Sequence, residues 1–184
     1  MNIKIIGIGG AGLNMINAVI DSGFEPENAI YIDTSRNGVW AAKTDNFLEI
    51  GVNMFKGCGS GKNQSRVRAA AELAEREILE AMKGADTVIL LAGLAGGTGG
   101  GAIPFIASLA LDYIGAKTIA VVTAPANIIT PIGAVEGKKA KSVLKKLLQT
   151  SEECSMKKAF TSYQPPTETS QQCIITRTSW LQKR

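Results

Sequence analysis

The stretch LAGLAGGTGGGA, residues 91–102, contains six glycines in twelve residues. We call it the signature stretch. It follows a short apolar run at 87–91, which predicts a buried strand, and precedes an apolar segment at 102–113, which predicts a helix. Six glycines cost much conformational entropy on folding, so a flexible connector is the weaker interpretation. We interpret the stretch as a loop that approaches a ligand with its backbone.

A second glycine-rich stretch, GIGGAGLN at residues 7–14, is the first glycine loop along the chain. The apolar run Ile3–Ile8 predicts a parallel strand buried on both faces, and residues 13–21 have helical spacing. The spacing G-x-G-x-x-G in this strand–turn–helix context is typical of a dinucleotide-binding fold. Asp33 lies about 20 residues further on, where such a fold holds a ribose. One interpretation is therefore a nicotinamide-dependent oxidoreductase.

The remaining segments alternate between strand and helix patterns. Apolar runs predict strands at 29–32 and 118–123. Helical spacing predicts helices at 64–82 and 134–148, and a short helix is expected at 36–43. The alternation predicts an α/β fold, a three-layer Rossmann-like domain with a mostly parallel sheet.

Composition argues against several classes of function. The 184 residues contain no histidine, which removes Ser-His-Asp and Cys-His catalysis and histidine-ligated metal sites. The net charge of +4 is too small to indicate nucleic acid, and no aromatic–basic interleaving suggests base stacking, so we expect no nucleic-acid partner. Three scattered cysteines fit a reducing cytosol, and we expect neither a signal peptide nor a transmembrane segment. The predicted location is the cytoplasm.

A third glycine loop, GCGSGKN at residues 57–63, offers Lys62 as a cation for the same ligand. The three stretches, followed by AVVTAP at 120–125 and VEGKKA at 135–140, together resemble the GTP-binding half of the FtsZ/tubulin family. Their residue order is more similar to the FtsZ branch than to tubulin. The resemblance covers roughly the first three-quarters of the chain and implies the nucleotide-binding fold of that family.

The resemblance implies roles in binding a guanine nucleotide, GTP or GDP, with Mg²⁺ carried by the nucleotide. The positions that match the first phosphate loop are Gly9, Gly10, Ala11, Gly12 and Asn14. The positions that match the loop around the β- and γ-phosphates are Gly96, Gly97, Thr98, Gly99 and Gly100. Gly59 and Gly61 match the loop that senses the γ-phosphate, and Glu136 matches the acid that holds the ribose. The hydroxyl of Thr98 is expected to add a donor.

Several positions depart from the family's pattern. Ala95 stands where a glycine is usual, Gly100 lacks a usual hydroxyl, and Ala140 replaces an arginine near the nucleotide. The family's Asn-Thr-Asp after the second strand reads Asp-Thr-Ser at residues 33–35. Because threonine at 100 would restore the hydroxyl, we expect it to be tolerated or to improve binding. Valine at 97 should abolish binding by occupying the space of a phosphate.

We divide the chain into a GTP-binding domain at residues 1–149 and a divergent tail at 150–184. The tail is rich in Ser, Thr and Gln, and we expect it to be disordered or loosely packed, with one stray strand at 173–176. The resemblance implies that the acidic loop that activates water belongs to a second domain and acts on the neighbouring subunit. That loop cannot be read in the tail.

We therefore expect an FtsZ-like cytoskeletal cell-division GTPase domain that binds GTP but alone hydrolyses it little and polymerises poorly. No catalytic residue and no metal ligand is assigned within the chain. The expected partners are further copies of the chain or FtsZ-like filament subunits. A non-catalytic regulator that caps such filaments is a further alternative, beside the oxidoreductase.

Overall fold

The computed structural model describes residues 1–125, 131–149, 154–157 and 171–178. Within these ranges, seven strands form one sheet: β1 (Ile3–Ile8), β2 (Ala29–Asp33), β3 (Phe47–Glu49), β4 (Thr87–Gly93), β5 (Lys117–Pro125), β6 (Cys154–Lys157) and β7 (Gln171–Thr178). Their order is β3-β2-β1-β4-β5-β7-β6. The strands β1 to β5 are parallel, whereas β7 and β6 are antiparallel to their neighbours. The predicted mostly parallel sheet is confirmed, and β3 and β6 are additional strands.

Helices cover both faces of the sheet. The described residues form α1 (Gly9–Asp21), α2 (Val52–Phe55), α3 (Gln64–Leu73), α4 (Glu75–Met82), α5 (Gly97–Asp112) and α6 (Pro131–Gln149). On one face, Ile16 of α1 packs with Ile5 and Leu91. On the other face, the larger apolar cluster includes Val67 of α3 and Ile103 of α5. Neighbouring strand residues alternate between the two clusters, as the pleat requires. The three-layer α/β fold is confirmed.

The register of the central strands brings three strand ends to one edge of the sheet. Ile8, the last residue of β1, pairs with Ile32 of β2 and with Ala92 of β4. The residues that follow these three therefore lie side by side. Ligands of open α/β sheets bind at this edge, beyond the carboxyl ends of the strands.

The predicted helix at 64–82 is two helices in the structure. α3 ends at Leu73 and α4 begins at Glu75, because Ala74 between them has φ −99° and ψ 20°. No glycine or proline lies at this break, so the local sequence does not predict it. The predicted helical spacing of apolar residues is nevertheless confirmed, since Val67, Ala70, Ala71 and Ile78 are all fully buried.

α5 begins at Gly97, several residues before the predicted start at 102. Most of the glycines in the signature stretch are therefore buried helical residues, and the expected loop is much shorter than predicted. A β-carbon at Gly99 would lie 2.6 Å from the carbonyl oxygen of Gly93, and one at Gly101 would lie 2.6 Å from that of Gln64. The glycines let this helix approach other backbone segments closely.

Other boundaries differ less from the predictions. α1 begins at Gly9 rather than at 13, and the expected short helix at 36–43 is a 3₁₀ turn at Val39–Ala41. Among the helices of the described residues, none has the length and apolar character needed to cross a membrane.

Two segments of the predicted tail lie in the sheet. β7 contains the predicted strand at 173–176 and pairs with β5, and β6 pairs with β7. These two segments therefore belong to the sheet rather than to a disordered tail. Residues 150–153, 158–170 and 179–184 lie outside the described residues, and the division at residue 149 stays a prediction.

The close packing of α1 on the sheet gives a first test. Replacing Gly12 with alanine should lower the free energy of unfolding by about 1–3 kcal/mol, because this overpacks a tight contact. The new β-carbon would lie 2.6 Å from the carbonyl oxygen of Leu91 and 2.7 Å from the carbonyl carbon of Gly7. Gly10→Ala is the matched control, since a β-carbon there meets nothing within 4 Å. Guanidinium unfolding followed by circular dichroism measures both; equal midpoints would contradict the packing role of Gly12.

Candidate functional site

A cleft of about 280 Å³ lies at the carboxyl ends of β1, β2 and β4. Its walls come from the start of α1, the end of β2, the third glycine loop and the start of α5. The lining residues are 8–11, 33–35, 59, 60, 62, 93 and 96–99. Asp33 and Lys62 are the ionisable members of this lining, and much of the rest is glycine. The cleft therefore offers mainly backbone groups to a ligand.

Two helix N-termini open into the cleft without a side-chain cap. The residues that precede α1 and α5, Ile8 and Gly96, make no side-chain capping hydrogen bond, and neither helix has an acidic residue in its first turn. The first N–H groups of a helix have no partner within the helix, and the helix dipole adds a positive partial charge there. Both helix starts therefore favour an anion.

The two helix starts lie in close contact. Gly9 has φ +73°, a conformation that favours glycine. A β-carbon at this position would lie 3.2 Å from the backbone nitrogen of Gly99 and 3.2 Å from the Cβ of Thr98. The starts of α1 and α5 therefore present their N–H groups to one shared space.

The third glycine loop is held between β2 and α5. The N–H of Gly59 donates to the carbonyl oxygen of Thr34 at 3.1 Å, and Ser35 and Cys58 form an isolated antiparallel bridge. A β-carbon at Gly97 would collide with Ser60 and lie 2.8 Å from the Cα of Lys62. The loop therefore closes one side of the cleft.

The helix that follows this loop differs from α1 and α5 at its start. The side chain of Asn63 accepts a hydrogen bond from the N–H of Arg66 at 3.1 Å, which caps α3. The start of α3 is therefore already satisfied by the protein. This leaves α1 and α5 as the uncapped helix starts in the lining of the cleft.

A buried carboxylate connects β2 to the start of α5. Asp33 is 7% exposed, and its Oδ1 accepts hydrogen bonds from the Thr34 N–H at 2.7 Å and from the Thr98 hydroxyl at 2.9 Å. The Tyr31 hydroxyl donates to Oδ2 at 2.5 Å. Burial first, and then the hydrogen bond to Asp33 and its charge, raise the pKa of Tyr31, so its hydroxyl stays protonated as a donor. The sequence predicted Asp33 as a ribose contact and did not predict this network.

Gln64 fixes the turn that precedes α5. Its Nε2 donates to the carbonyl oxygens of Leu94 and Gly96, both at 2.9 Å. These carbonyls lie in the turn between β4 and α5, so one side chain holds the turn from outside the cleft. No motif marks Gln64, and its position directly after the cap of α3 is the one signal that the sequence offers.

Residues 2–157 match the family described as "Tubulin/FtsZ family, GTPase domain". The chain belongs to the tubulin/FtsZ family. It is 41% identical over 124 residues to the cell division protein FtsZ of Mycoplasmopsis pulmonis (strain UAB CTIP), an alignment that covers 67% of this chain and 31% of that protein. The predicted family is confirmed, and membership replaces the oxidoreductase interpretation.

Solved structures agree with this tubulin/FtsZ fold. FtsZ from M. jannaschii, solved as an empty dimer, superposes with a TM-score of 0.73 at 35% identity, over 81% of this chain and 42% of that chain. CetZ1 from Haloferax volcanii, solved as a GDP-bound monomer, superposes with a TM-score of 0.70 at 19% identity, over 82% of this chain and 48% of that chain. At 19% identity, the similarity to CetZ1 establishes a shared fold and nothing more. This chain spans less than half the length of each of these relatives.

The predicted nucleotide positions of this tubulin/FtsZ domain are not all equivalent in the structure. Those that line the cleft are Gly9, Gly10, Ala11, Gly59, Gly96, Gly97, Thr98 and Gly99. Those that are absent from its lining are Gly12, Asn14, Gly61 and Gly100. Asn14 is exposed on α1, one turn beyond Gly10. Glu136 lies in α6, and its side chain lies outside the described part of the structure. The roles of all these positions stay predictions.

The hydroxyl of Thr98 is engaged within the domain. Its proton is donated to Asp33, and its oxygen lies 2.9 Å from the hydroxyl oxygen of Thr34. The hydroxyl therefore has partners within the protein, and its expected role as a donor to the ligand stays a prediction. The N–H of Thr98 lies in the first turn of α5, where helix N–H groups have no partner within the helix.

Two expectations about substitutions in the signature stretch change. Threonine at Gly100 was expected to be tolerated, but its β-carbon would collide with Nε2 of Gln64 and with the carbonyl oxygen of Leu94. That expectation is wrong, because a backbone atom cannot move away as a side chain can. Valine at Gly97 would meet Ser60 and Lys62, so it would act by displacing the third glycine loop rather than by filling the space of a phosphate.

We predict that Gly100→Thr lowers the free energy of unfolding by about 1–3 kcal/mol through overpacking, although helix propensity alone favours threonine by a few tenths. Gly96→Ala is the control, because its nearest neighbour would be the Gly93 oxygen at an ordinary 3.4 Å. Its stability should stay within about 0.5 kcal/mol of the parent. Urea unfolding compares the three proteins. If the Gly100→Thr protein were as stable as the parent, the turn held by Gln64 would be able to shift at little cost in free energy, which contradicts this prediction.

Proposed function

We propose that the chain binds GTP or GDP in this cleft, as the nucleotide-binding part of an FtsZ-like cell-division GTPase of the cytoplasm. The observation that carries the proposal is the meeting of two uncapped helix starts, those of α1 and α5, at one cleft of a tubulin/FtsZ domain. A polyphosphate has enough negative oxygens to satisfy the N–H groups and the positive ends of both helices together.

The cleft suggests how the parts of the nucleotide are shared among the residues. We assign the phosphates to the starts of α1 and α5, with Lys62 as the cationic member of the lining. Mg²⁺ retains most of its water and binds phosphate oxygens readily, so we expect it to arrive with the nucleotide. The contact between Glu136 and the ribose stays a hypothesis that rests on the resemblance.

A nicotinamide cofactor suits this cleft less well than a guanine nucleotide. A dinucleotide fold presents a free carboxylate to the ribose at the end of its second strand. The corresponding Asp33 is 7% exposed, and its oxygens already accept hydrogen bonds from three protein donors. This observation agrees with the family membership in disfavouring the oxidoreductase.

Hydrolysis by the 184-residue polypeptide alone is expected to be slow. Asp33 is the one carboxylate among the described residues that line the cleft. A general base needs a lone pair directed at the attacking water, and the lone pairs of Asp33 are largely engaged by protein donors. We therefore expect a neighbouring subunit to supply the acid, and we propose copies of the chain or FtsZ-like filament subunits as partners. The dimer of the M. jannaschii relative supports pairing between subunits.

The nucleotide preference can be measured directly. Titration with fluorescent GTP, GDP and NADH should give saturable binding of both guanine nucleotides and no binding of NADH, because the cleft suits a polyphosphate flanked by two helix starts. Binding of NADH alone would overturn the proposed function.

The same titration locates the site. Gly97→Val should weaken GTP binding severely by displacing the third glycine loop, whereas Leu73→Ala, at an exposed position of α3 away from the cleft, should bind like the parent. Thermal melts of both variants check that each is folded. Normal GTP binding by a folded Gly97→Val protein would place the phosphates elsewhere.

The rate of GTP hydrolysis tests whether a neighbouring subunit is needed. A missing water-activating acid typically costs about 10²–10⁴-fold in rate, so the polypeptide alone should bind GTP and hydrolyse it very slowly. We propose that filament growth needs a head-to-tail contact with a full-length subunit, so the 184-residue polypeptide alone should form no filaments and at substoichiometric ratio should cap those of a full-length relative. Phosphate release and light scattering measure the two effects. Turnover that rises steeply with protein concentration, together with filaments, would contradict this expectation.

A further inference from the structure

A negative side chain lies in the wall of a cleft that the proposed function assigns to phosphates. Asp33 lines the cleft and is 7% exposed. It stands where the resemblance leads one to expect a neutral asparagine, so the charge is a departure of this chain from its family. A carboxylate and an amide have nearly the same shape, and the exchange therefore changes charge more than packing.

The donors that surround Asp33 stabilise its charge without neutralising it. The Tyr31 hydroxyl, the Thr34 N–H and the Thr98 hydroxyl are all neutral groups. None of the ion pairs between residues that the structure describes includes Asp33. An ionised Asp33 therefore sets a negative charge beside the start of α5, and burial limits its screening by solvent and salt.

Asp33 competes with a ligand for the positive end of α5. Its hydrogen bond to Thr98 places the carboxylate at the first turn of that helix, where an anion gains most from the helix dipole. A phosphate bound at the same helix start would meet both a positive dipole that is partly compensated and a like charge nearby.

The competition should depend on the number of phosphates. Asp33 bonds Thr98 of the signature stretch, and the next residue, Thr34, bonds Gly59 of the third glycine loop. The resemblance assigns these two segments to the β- and γ-phosphates. We propose that Asp33 is a specificity-determining residue that weakens binding of the triphosphate relative to the diphosphate. This inference rests on the proposed function.

The test replaces the carboxylate by its amide. In Asp33→Asn, the side-chain oxygen can still accept from Thr34 and Thr98, and the amide nitrogen can donate to the Tyr31 oxygen, so the network can persist. Asp112→Asn is the matched control. It changes the net charge equally, is exposed, and lies at the other end of α5, about 20 Å from Thr98 at 1.5 Å per residue.

Competition titrations with GTP and GDP, with Mg²⁺ present, measure the effect. Asp33→Asn should bind GTP about tenfold more tightly and GDP less than about threefold more tightly, because removing a like charge helps the more highly charged ligand more. Asp112→Asn should leave both affinities within about twofold, since an exposed charge beyond a Debye length is screened.

Tyr31→Phe is a second variant, which should change the affinity for GTP in the opposite direction. It removes one donor and leaves the charge of Asp33, so it should weaken GTP binding more than GDP binding. Equal affinities in parent and Asp33→Asn, or weaker GTP binding in Asp33→Asn, would overturn this inference and leave the proposed function standing. Absence of GTP and GDP binding in the parent and in all three variants would overturn both.

Discussion

The first turn of α5 lies closer to neighbouring backbone than any side chain would permit. β-carbons at Gly99, Gly100 and Gly101 would each meet a carbonyl oxygen at well under van der Waals distance. These oxygens belong to the end of β4, to the turn that follows it and to the start of α3. Because the backbones meet directly, the position of α5 relative to the sheet is fixed, and with it the shape of the cleft.

Gly12 imposes the same constraint on the other face of the sheet, where α1 approaches β1 and β4. The two helices are thus held against the same pair of strands from opposite sides, and both begin at the same edge. Helix starts that converge on one cleft follow from this close packing. Gly10 and Gly96 have open surroundings, so the exposed part of each glycine stretch is distinct from the part that packs.

The sequence predicted the parts of the fold that depend on periodicity. The buried parallel strands, the helices on both faces and the apolar stripe of α3 and α4 all follow from apolar spacing. It did not predict the break at Ala74, because the chain leaves the helical conformation there without glycine or proline. It also missed β3, whose three residues are too few to set a period, and placed the start of α5 too late because glycine is a poor helix former.

The residues that line the candidate cleft could largely be predicted from sequence, but the hydrogen bonds among them could not. The three glycine stretches and Asp33 meet at one cleft, as strand order and residue order implied. The hydrogen bonds of Thr98 and Gln64 join groups that are more than 25 residues apart in sequence and adjacent only after folding. Local spacing does not identify such pairs, because hydrogen bonds between distant residues leave no periodic trace.

The packing glycines also bear on how such sequences drift over evolutionary time. A descendant that had stopped binding its ligand would still need Gly99, Gly100 and Gly101 for α5 to pack against the neighbouring backbone. Purifying selection on folding alone would therefore retain these glycines. Their presence in a genome therefore diagnoses the architecture of the domain and says little about whether the ancestral activity survives. Retained activity would be evident instead at positions such as Gly10 and Gly96. A side chain there fits within the domain without a clash and would interfere only with the bound ligand.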